Sequence, residues 1–216
     1  MTTLIVSEMF TSIQGESPAA GYPCAFVRLA GCNLDCVYCD TRYARDPGSG
    51  QQVTVQEIVE RMAQYRQPYV AITGGEPLTQ AGTPELIIRL LDEGHKVIVE
   101  TNGSQNIALI DTRARVVLDI KTPGSGMAEF NLVRNLESLR AGDSVKFVLT
   151  NREDYEFARQ WACSGRIRRE CEIFFSPAHG MLARQQLAEW MVADAVPVRL
   201  QLQLHRVIWP DRERGV

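Results

Sequence analysis

No apolar run of about 18 or more residues occurs in the 216-residue sequence, so no segment reads as a membrane-spanning helix. The N-terminus also lacks a cationic stretch followed by an apolar one; no secretory signal is read, and the cytoplasm is the expected compartment. Basic charge is in slight deficit, with 23 Lys and Arg against 26 Asp and Glu and a net charge of −3. A general nucleic-acid binder needs the opposite balance to displace counterions from phosphate, so neither a nucleic-acid nor a membrane partner is expected. The local trio Arg166, Arg168 and Arg169 reads as a solvated turn. Low-complexity tracts, repeats and linkers are missing too, which makes a single domain over 1–216 the economical reading. The composition that remains, 45% hydrophobic and 23% charged, is that of an ordinary globular chain. Its one asymmetry is in the cysteines: three of the six fall within eight residues.

Short apolar runs rich in β-branched residues recur along the chain and read as strands: Leu4–Phe10, Phe26–Ala30, Tyr69–Thr73, Val97–Thr101, Val116–Ile120, Val145–Leu149, Glu172–Phe175 and Val198–Leu204. Helical spacing of Val55, Ile58, Val59 and Met62, opened by Thr54 with Glu57 three residues later, predicts a capped helix. A second helix is expected from Thr83-Pro84-Glu85, with Thr83 as its cap, through Leu86, Ile87, Leu90 and Leu91 to Gly94. Weaker helical patterns cover Asp154–Trp161 and Leu182–Ala193. Strand alternating with helix argues for an α/β fold with a largely parallel sheet, because parallel neighbours need a crossover connection. The later crossovers look short, notably Lys121–Phe130. An incomplete, TIM-like barrel of mostly parallel strands is therefore expected, with the active site at the C-terminal strand ends. The polar motifs obey that geometry: Cys32, Gly74-Gly75-Glu76-Pro77, Asn102-Gly103, Lys121 and Ser176-Pro177 each follow or end a strand.

The segment Gly31-Cys32-Asn33-Leu34-Asp35-Cys36-Val37-Tyr38-Cys39-Asp40-Thr41 has the spacing C-x3-C-x2-C. Thiolates are soft ligands, and three in one loop can wrap a soft metal centre. A structural zinc site and an electron-transfer ferredoxin cluster both ordinarily use four protein ligands. Three thiolates on a four-iron cluster leave one iron open to a small molecule. Cys24, Cys163 and Cys171 stand outside the pattern and are expected as small buried residues.

This spacing after an early strand, followed by Gly74-Gly75-Glu76-Pro77 after the next, resembles the radical S-adenosylmethionine superfamily. Within it, Ser12-Ile13-Gln14-Gly15-Glu16, Phe26-Val27-Arg28-Leu29-Ala30-Gly31-Cys32-Asn33-Leu34 and Cys39-Asp40-Thr41 resemble the 7-carboxy-7-deazaguanine synthase family, whose pattern extends to Gln203-Leu204-His205-Arg206. The resemblance implies a lyase with a 4Fe-4S cluster on Cys32, Cys36 and Cys39, whose open iron chelates S-adenosylmethionine. Reduction then cleaves that cofactor to methionine and a 5'-deoxyadenosyl radical. It further implies 6-carboxy-5,6,7,8-tetrahydropterin as substrate, ring contraction to 7-carboxy-7-deazaguanine with loss of ammonia, and a place in queuosine and 7-deazapurine biosynthesis. Residues 1–45 would form the substrate and cluster region.

The implied substrate contacts are Ile13, Gln14, Gly15, Glu16, Arg28 and Thr73, with magnesium on Thr41. Arg28 has support of its own, since a planar fork of donors suits a carboxylate. The implied S-adenosylmethionine contacts are Gly75, Asn102, Asp119, Lys121, Ser176, Pro177, Ala178 and His179. His205 is expected in the final strand, and the tail Trp209–Val216 is longer than in some relatives. An electron donor such as flavodoxin or ferredoxin and a homodimer are family expectations. Two alternatives share the cysteine pattern: an activase that installs a glycyl radical on a partner enzyme, and a non-catalytic zinc or iron-sulfur module.

Overall fold

All eight apolar runs contain strands, and each strand alternates its side chains between two faces. The computed structural model describes residues 1–216 and contains β1 (Thr3–Ile13), β2 (Pro23–Leu29), β3 (Gln51–Thr54), β4 (Tyr69–Gly74), β5 (Lys96–Thr101), β6 (Arg115–Asp119), β7 (Ser144–Leu149), β8 (Glu172–Pro177) and β9 (Arg199–Leu200). They form one sheet in the order β3-β1-β2-β4-β5-β6-β7-β8-β9, whose two ends do not pair. From β2 to β9 every neighbour is parallel. The β1 strand pairs antiparallel with both β2 and β3. The architecture is thus an α/β open barrel of mostly parallel strands, as expected, with an antiparallel edge. The four-residue β3 has no apolar alternation of its own and is held only by pairing with Thr3–Val6.

Longer crossovers carry α1 (Val55–Tyr65), α2 (Thr83–Asp92), α4 (Arg152–Cys163) and α5 (Arg184–Ala193); a single turn, α3 (Asn135–Ser138), lies between β6 and β7. The capping box of α1 forms as read: Thr54 Oγ1 accepts from the Glu57 N–H at 3.2 Å and the Glu57 carboxylate accepts from the Thr54 N–H at 2.9 Å. Ile58 and Met62 then bury completely, each burial contributing about 1.5–3 kcal/mol. In α2, Thr83 does not cap; its hydroxyl donates instead to the Pro77 carbonyl at 2.6 Å, tying the helix start to the Gly-Gly-Glu-Pro turn. The expected strand Val198–Leu204 shrinks to Arg199–Leu200, and His205 lies in a short helix, α6 (Leu204–Ile208), because β9 has only β8 as a partner. Cys24 and Cys171 are buried, whereas Cys163 is exposed at the outer end of α4, which corrects the expectation that it packs in the core. The Arg166, Arg168, Arg169 cluster is solvated. No helix is long and apolar enough to cross a membrane.

Alternation in the parallel strands decides what faces the helices. Ala25, Val27 and Leu29 of β2, Val70 and Ile72 of β4, Val97 and Val99 of β5, Val116 and Leu118 of β6, and Val145, Phe147 and Leu149 of β7 all enter the core beneath the helices. The intervening residues point to the other face. There Arg28, Thr73, Glu100, Asp119 and Lys146, one from each of five adjacent strands, line a single cavity. Registers place Arg28 beside Thr73 and Asp119 beside Lys146.

Candidate active site

The cavity opens at the C-terminal strand ends and is walled on one side by the cysteine loop. Cys32, Cys36 and Cys39 all line it, together with Tyr38 and Thr41. Gly31, at φ +95°, turns the chain from β2 into this loop, a conformation that L side chains avoid. The loop is clamped from below by Gly74 and Gly75. A Cβ on Gly74 would lie 2.1 Å from the Leu29 carbonyl oxygen, and one on Gly75 would lie 2.0 Å from the Gly31 oxygen. The paired glycines therefore let two stretches of backbone pack together. Across that contact the Gly75 N–H donates to Leu29 and the Glu76 N–H to Gly31.

Glu76 is fully buried and gathers three loops. Its Oε1 accepts from the Leu78 N–H at 3.0 Å and the Thr101 hydroxyl at 2.8 Å, and its Oε2 from the Asn102 N–H at 2.6 Å. Burial pushes this carboxyl up from its ordinary value, and those hydrogen bonds oppose the rise. Asn102, fixed in this way, extends its amide nitrogen towards Asn33 Oδ1 at 3.2 Å and Cys32 Sγ at 3.7 Å.

The cavity floor is charged. Lys121 Nζ stands 3.0 Å from Asp119 Oδ2, and Lys146 Nζ is 2.7 Å from Glu16 Oε2 and 3.5 Å from Asp119 Oδ2. Burial works against the charge on both lysines, but Asp119 beside Lys121, and Glu16 with Asp119 beside Lys146, outweigh it and hold both protonated. Asp119 is likewise held ionised: burial opposes its charge, and Lys121 and Lys146 overcome the opposition. Glu100 accepts from Gln14 Nε2 at 3.1 Å and Thr73 Oγ1 at 2.9 Å. Burial, then the nearby Glu16, pushes its carboxyl up.

Arg28 Nε donates to Glu8 Oε1 at 2.7 Å, and the guanidinium lies 5.6 Å from the Phe10 ring centroid. The same Glu8 accepts from the Tyr43 hydroxyl at 2.6 Å and from the Gly215 N–H at 3.2 Å. The two Nη groups of Arg28 donate to nothing in the protein. The tail folds back here, so that Arg212, Glu213 and Val216 line the cavity and Arg214 lies over the Tyr43 ring.

Ile13, Gln14, Gly15, Glu16, Arg28, Thr73, Gly75, Asn102, Asp119, Lys121, Ala178 and His179 thus all border the same space as the three cysteines and Thr41. Ser176 and Pro177 do not: β8 runs two residues further than expected and keeps both buried within the sheet. His205 does line the cavity, from α6, with its ring against Gly15 and Nε2 3.8 Å from Asp40 Oδ2. Sequence reasoning passed over Glu100 and Lys146. The signal was present, since a charged residue inside an otherwise apolar parallel strand is buried and needs a reason. Glu8 and Tyr43 carried no such signal.

The residues fit the group the cysteine spacing implies. Cys32, Cys36 and Cys39 are the only three cysteines that border the cavity, one fewer than the four protein ligands of an ordinary structural zinc site. Three soft donors spread over one cavity wall suit a larger iron-sulfur cluster. Burial pushes the Cys32 and Cys36 thiols up, and coordination to iron deprotonates such groups outright. Thr41, whose hydroxyl donates to Asp40 Oδ1 at 2.7 Å, offers hard oxygen at the same rim.

Comparison with known proteins agrees with this geometry. Residues 27–125 match the Radical SAM superfamily. A 7-carboxy-7-deazaguanine synthase of Chlorobaculum tepidum is 44% identical over 99% of this chain and 97% of its own length. Proteins of the same name from Koribacter versatilis and Methanospirillum hungatei are 37% and 40% identical, over 98% and 94% of this chain and 99% and 84% of theirs. Among solved structures, QueE from Escherichia coli superposes with a TM-score of 0.77 at 21% identity, covering 93% of this chain and 94% of that one. Streptococcus suis SuiB bound to its precursor peptide SuiA gives 0.58 at 13%, over 80% and 46%. With an open parallel barrel, a three-cysteine loop at its mouth and full-length relatives of one name, this chain belongs to the 7-carboxy-7-deazaguanine synthase family of radical S-adenosylmethionine enzymes.

Proposed function

We propose that this chain contracts the ring of 6-carboxy-5,6,7,8-tetrahydropterin to 7-carboxy-7-deazaguanine. Ammonia is the only other product, so the conversion is redox-neutral and the cofactor can be regenerated at each turnover. The observation that carries this reading is that Arg28, Thr73, Glu100, Asp119 and Lys146 line one cavity with the three cysteines. Cys32, Cys36 and Cys39 would hold the four-iron cluster. When bound, the cluster and S-adenosylmethionine supply the one-electron chemistry that removes a hydrogen atom from C6 of the pterin.

The chain's own task is to bind, orient and shield. Arg28 offers its two free Nη groups to the pterin carboxylate, a pairing suited to a planar fork. Glu8 anchors that fork through Nε and leaves its open side towards the cavity. Gln14, Glu16 and Thr73 meet the polar edge of the pterin, with Ile13 and Gly15 shaping the approach. Gly75, Asn102, Asp119, Lys121, Ala178 and His179 surround the cofactor, while Ser176 and Pro177 support them from within β8. Thr41, with Asp40 as its hydrogen-bond partner, would contact a magnesium ion that keeps most of its waters and binds substrate oxygens. A small-molecule substrate and an external reductant complete the set; flavodoxin or ferredoxin suits that role, and a cytoplasmic homodimer is the expected working form.

The test is turnover. Anaerobically reconstituted, dithionite-reduced protein given the tetrahydropterin, S-adenosylmethionine and magnesium should yield a product of the deazapurine carboxylate mass. Cleavage of S-adenosylmethionine without that product would refute the substrate assignment. A colourless protein with stoichiometric zinc would refute the enzyme reading.

A further inference from the structure

Lys146 interrupts an apolar strand, is buried, and reaches the cavity floor between two carboxylates. Its Nζ is 2.7 Å from Glu16 Oε2 and 3.5 Å from Asp119 Oδ2. Glu16 makes no ion pair with any other cation, whereas Asp119 also has Lys121 at 3.0 Å. The second oxygen of each carboxylate, Glu16 Oε1 and Asp119 Oδ1, is buried with no hydrogen-bond donor in the protein. Buried acceptors in folded proteins are almost always paired, so an unpaired one at a cavity wall is an invitation to a ligand donor. Here two such oxygens occur on residues that share one lysine, one at the substrate turn and one at the end of β6. Glu100 adds a third carboxylate to the field around Nζ.

We propose that Lys146 is a positioning residue common to both ligands: by bridging Glu16 and Asp119 it fixes the orientation of both carboxylates and leaves one oxygen of each free, Glu16 Oε1 for the N–H edge of the pterin and Asp119 Oδ1 for an N–H or O–H donor of S-adenosylmethionine. This deepens the function proposed above and rests on it. Lys146 touches neither ligand itself; it acts through the two acids.

The pattern across variants tests it. In cluster-loaded, unreduced enzyme, 6-carboxypterin, a fluorescent oxidised analogue, gives the pterin Kd by titration; the S-adenosylmethionine KM comes from methionine release under reduction. Glu16→Gln should raise the pterin Kd about tenfold and leave the S-adenosylmethionine KM within about twofold, and Asp119→Asn should do the reverse. Lys146→Met should raise both, by about tenfold for the pterin and about threefold or more for S-adenosylmethionine, with Lys146→Arg recovering most of each loss. Lys146→Met moving only one ligand, or neither, overturns the proposal. If that variant fails to fold, the double variant Glu16→Gln/Lys146→Met removes one buried charge of each sign. Its pterin Kd should equal that of Glu16→Gln alone, and a further rise of about tenfold overturns the proposal as well. Failure of the wild-type protein to convert the tetrahydropterin would count against the proposed substrate, whereas Lys146→Met leaving either ligand unmoved in a competent enzyme would count against Lys146.

Discussion

Glu76→Gln probes what holds the loops around the cluster. The native carboxylate accepts at both oxygens, from the Leu78 N–H and the Thr101 hydroxyl at Oε1 and from the Asn102 N–H at Oε2. A glutamine amide has one acceptor atom. With its oxygen in the Oε1 place, its NH2 faces the Asn102 N–H, donor to donor; flipping it strands the other two donors. The smaller loss is one bond to a buried charged group, about 1.5–3 kcal/mol. For a chain of this size each kcal/mol shifts Tm by about 2–4 °C, so a fall of about 3–12 °C is expected. Thermal unfolding followed by far-ultraviolet circular dichroism reads it directly. Asn102 reaches towards Cys32, so the S-adenosylmethionine KM should rise in the same variant. A Tm within about 1 °C of wild type would refute the reasoning, because it would mean that the 2.6 Å bond to Asn102 contributes nothing.

Gly75→Ala places a Cβ 2.0 Å from the Gly31 oxygen, against backbone that cannot rotate away; a loss of about 3 kcal/mol or more in denaturant unfolding is expected, together with lower iron content after reconstitution. A native denaturation midpoint would show that the two backbones separate freely. Arg28→Ala should raise the KM for the pterin about 10–100-fold with a smaller change in kcat, since a charge-assisted ground-state contact is removed; an unchanged KM in steady-state kinetics would sink the carboxylate assignment. Glu100, pushed up from 4.5, keeps in the folded protein a proton that the unfolded chain releases. Its contribution to stability is therefore present below 4.5 and is lost as pH rises towards its folded value. In calorimetry over a pH series, the Tm advantage of wild type over Glu100→Gln should shrink as pH rises from that point, and a constant difference would contradict the shift.

Much of the fold was legible because local chemistry and global structure agree. Alternating β-branched runs become strands, and the Thr54–Glu57 capping box starts α1 where the sequence reading put it. The C-x3-C-x2-C spacing marked three soft donors as a set, and all three line the one cavity because they sit in a single loop. Strand ends gave the position of the site, because loops at one end of a parallel sheet must meet there. What went unread depended on partners remote in sequence. The antiparallel β3-β1-β2 edge rests on pairing rather than pattern, and Ser176 and Pro177 stay inside β8 because Leu149 of the neighbouring strand pairs with Pro177.

By itself, then, the sequence determined which residue types were available, an open barrel to carry them and three thiols gathered in one loop. Only the tertiary structure decided who meets whom. Glu16 and Lys146 are 130 positions apart yet pair at 2.7 Å. Glu8 joins Arg28, Tyr43 and the C-terminal tail in one set of hydrogen bonds. The physical reason is that strand alternation sets which face a side chain takes, a local property, whereas the cost of burying a charge is met only by a partner that the sheet order delivers.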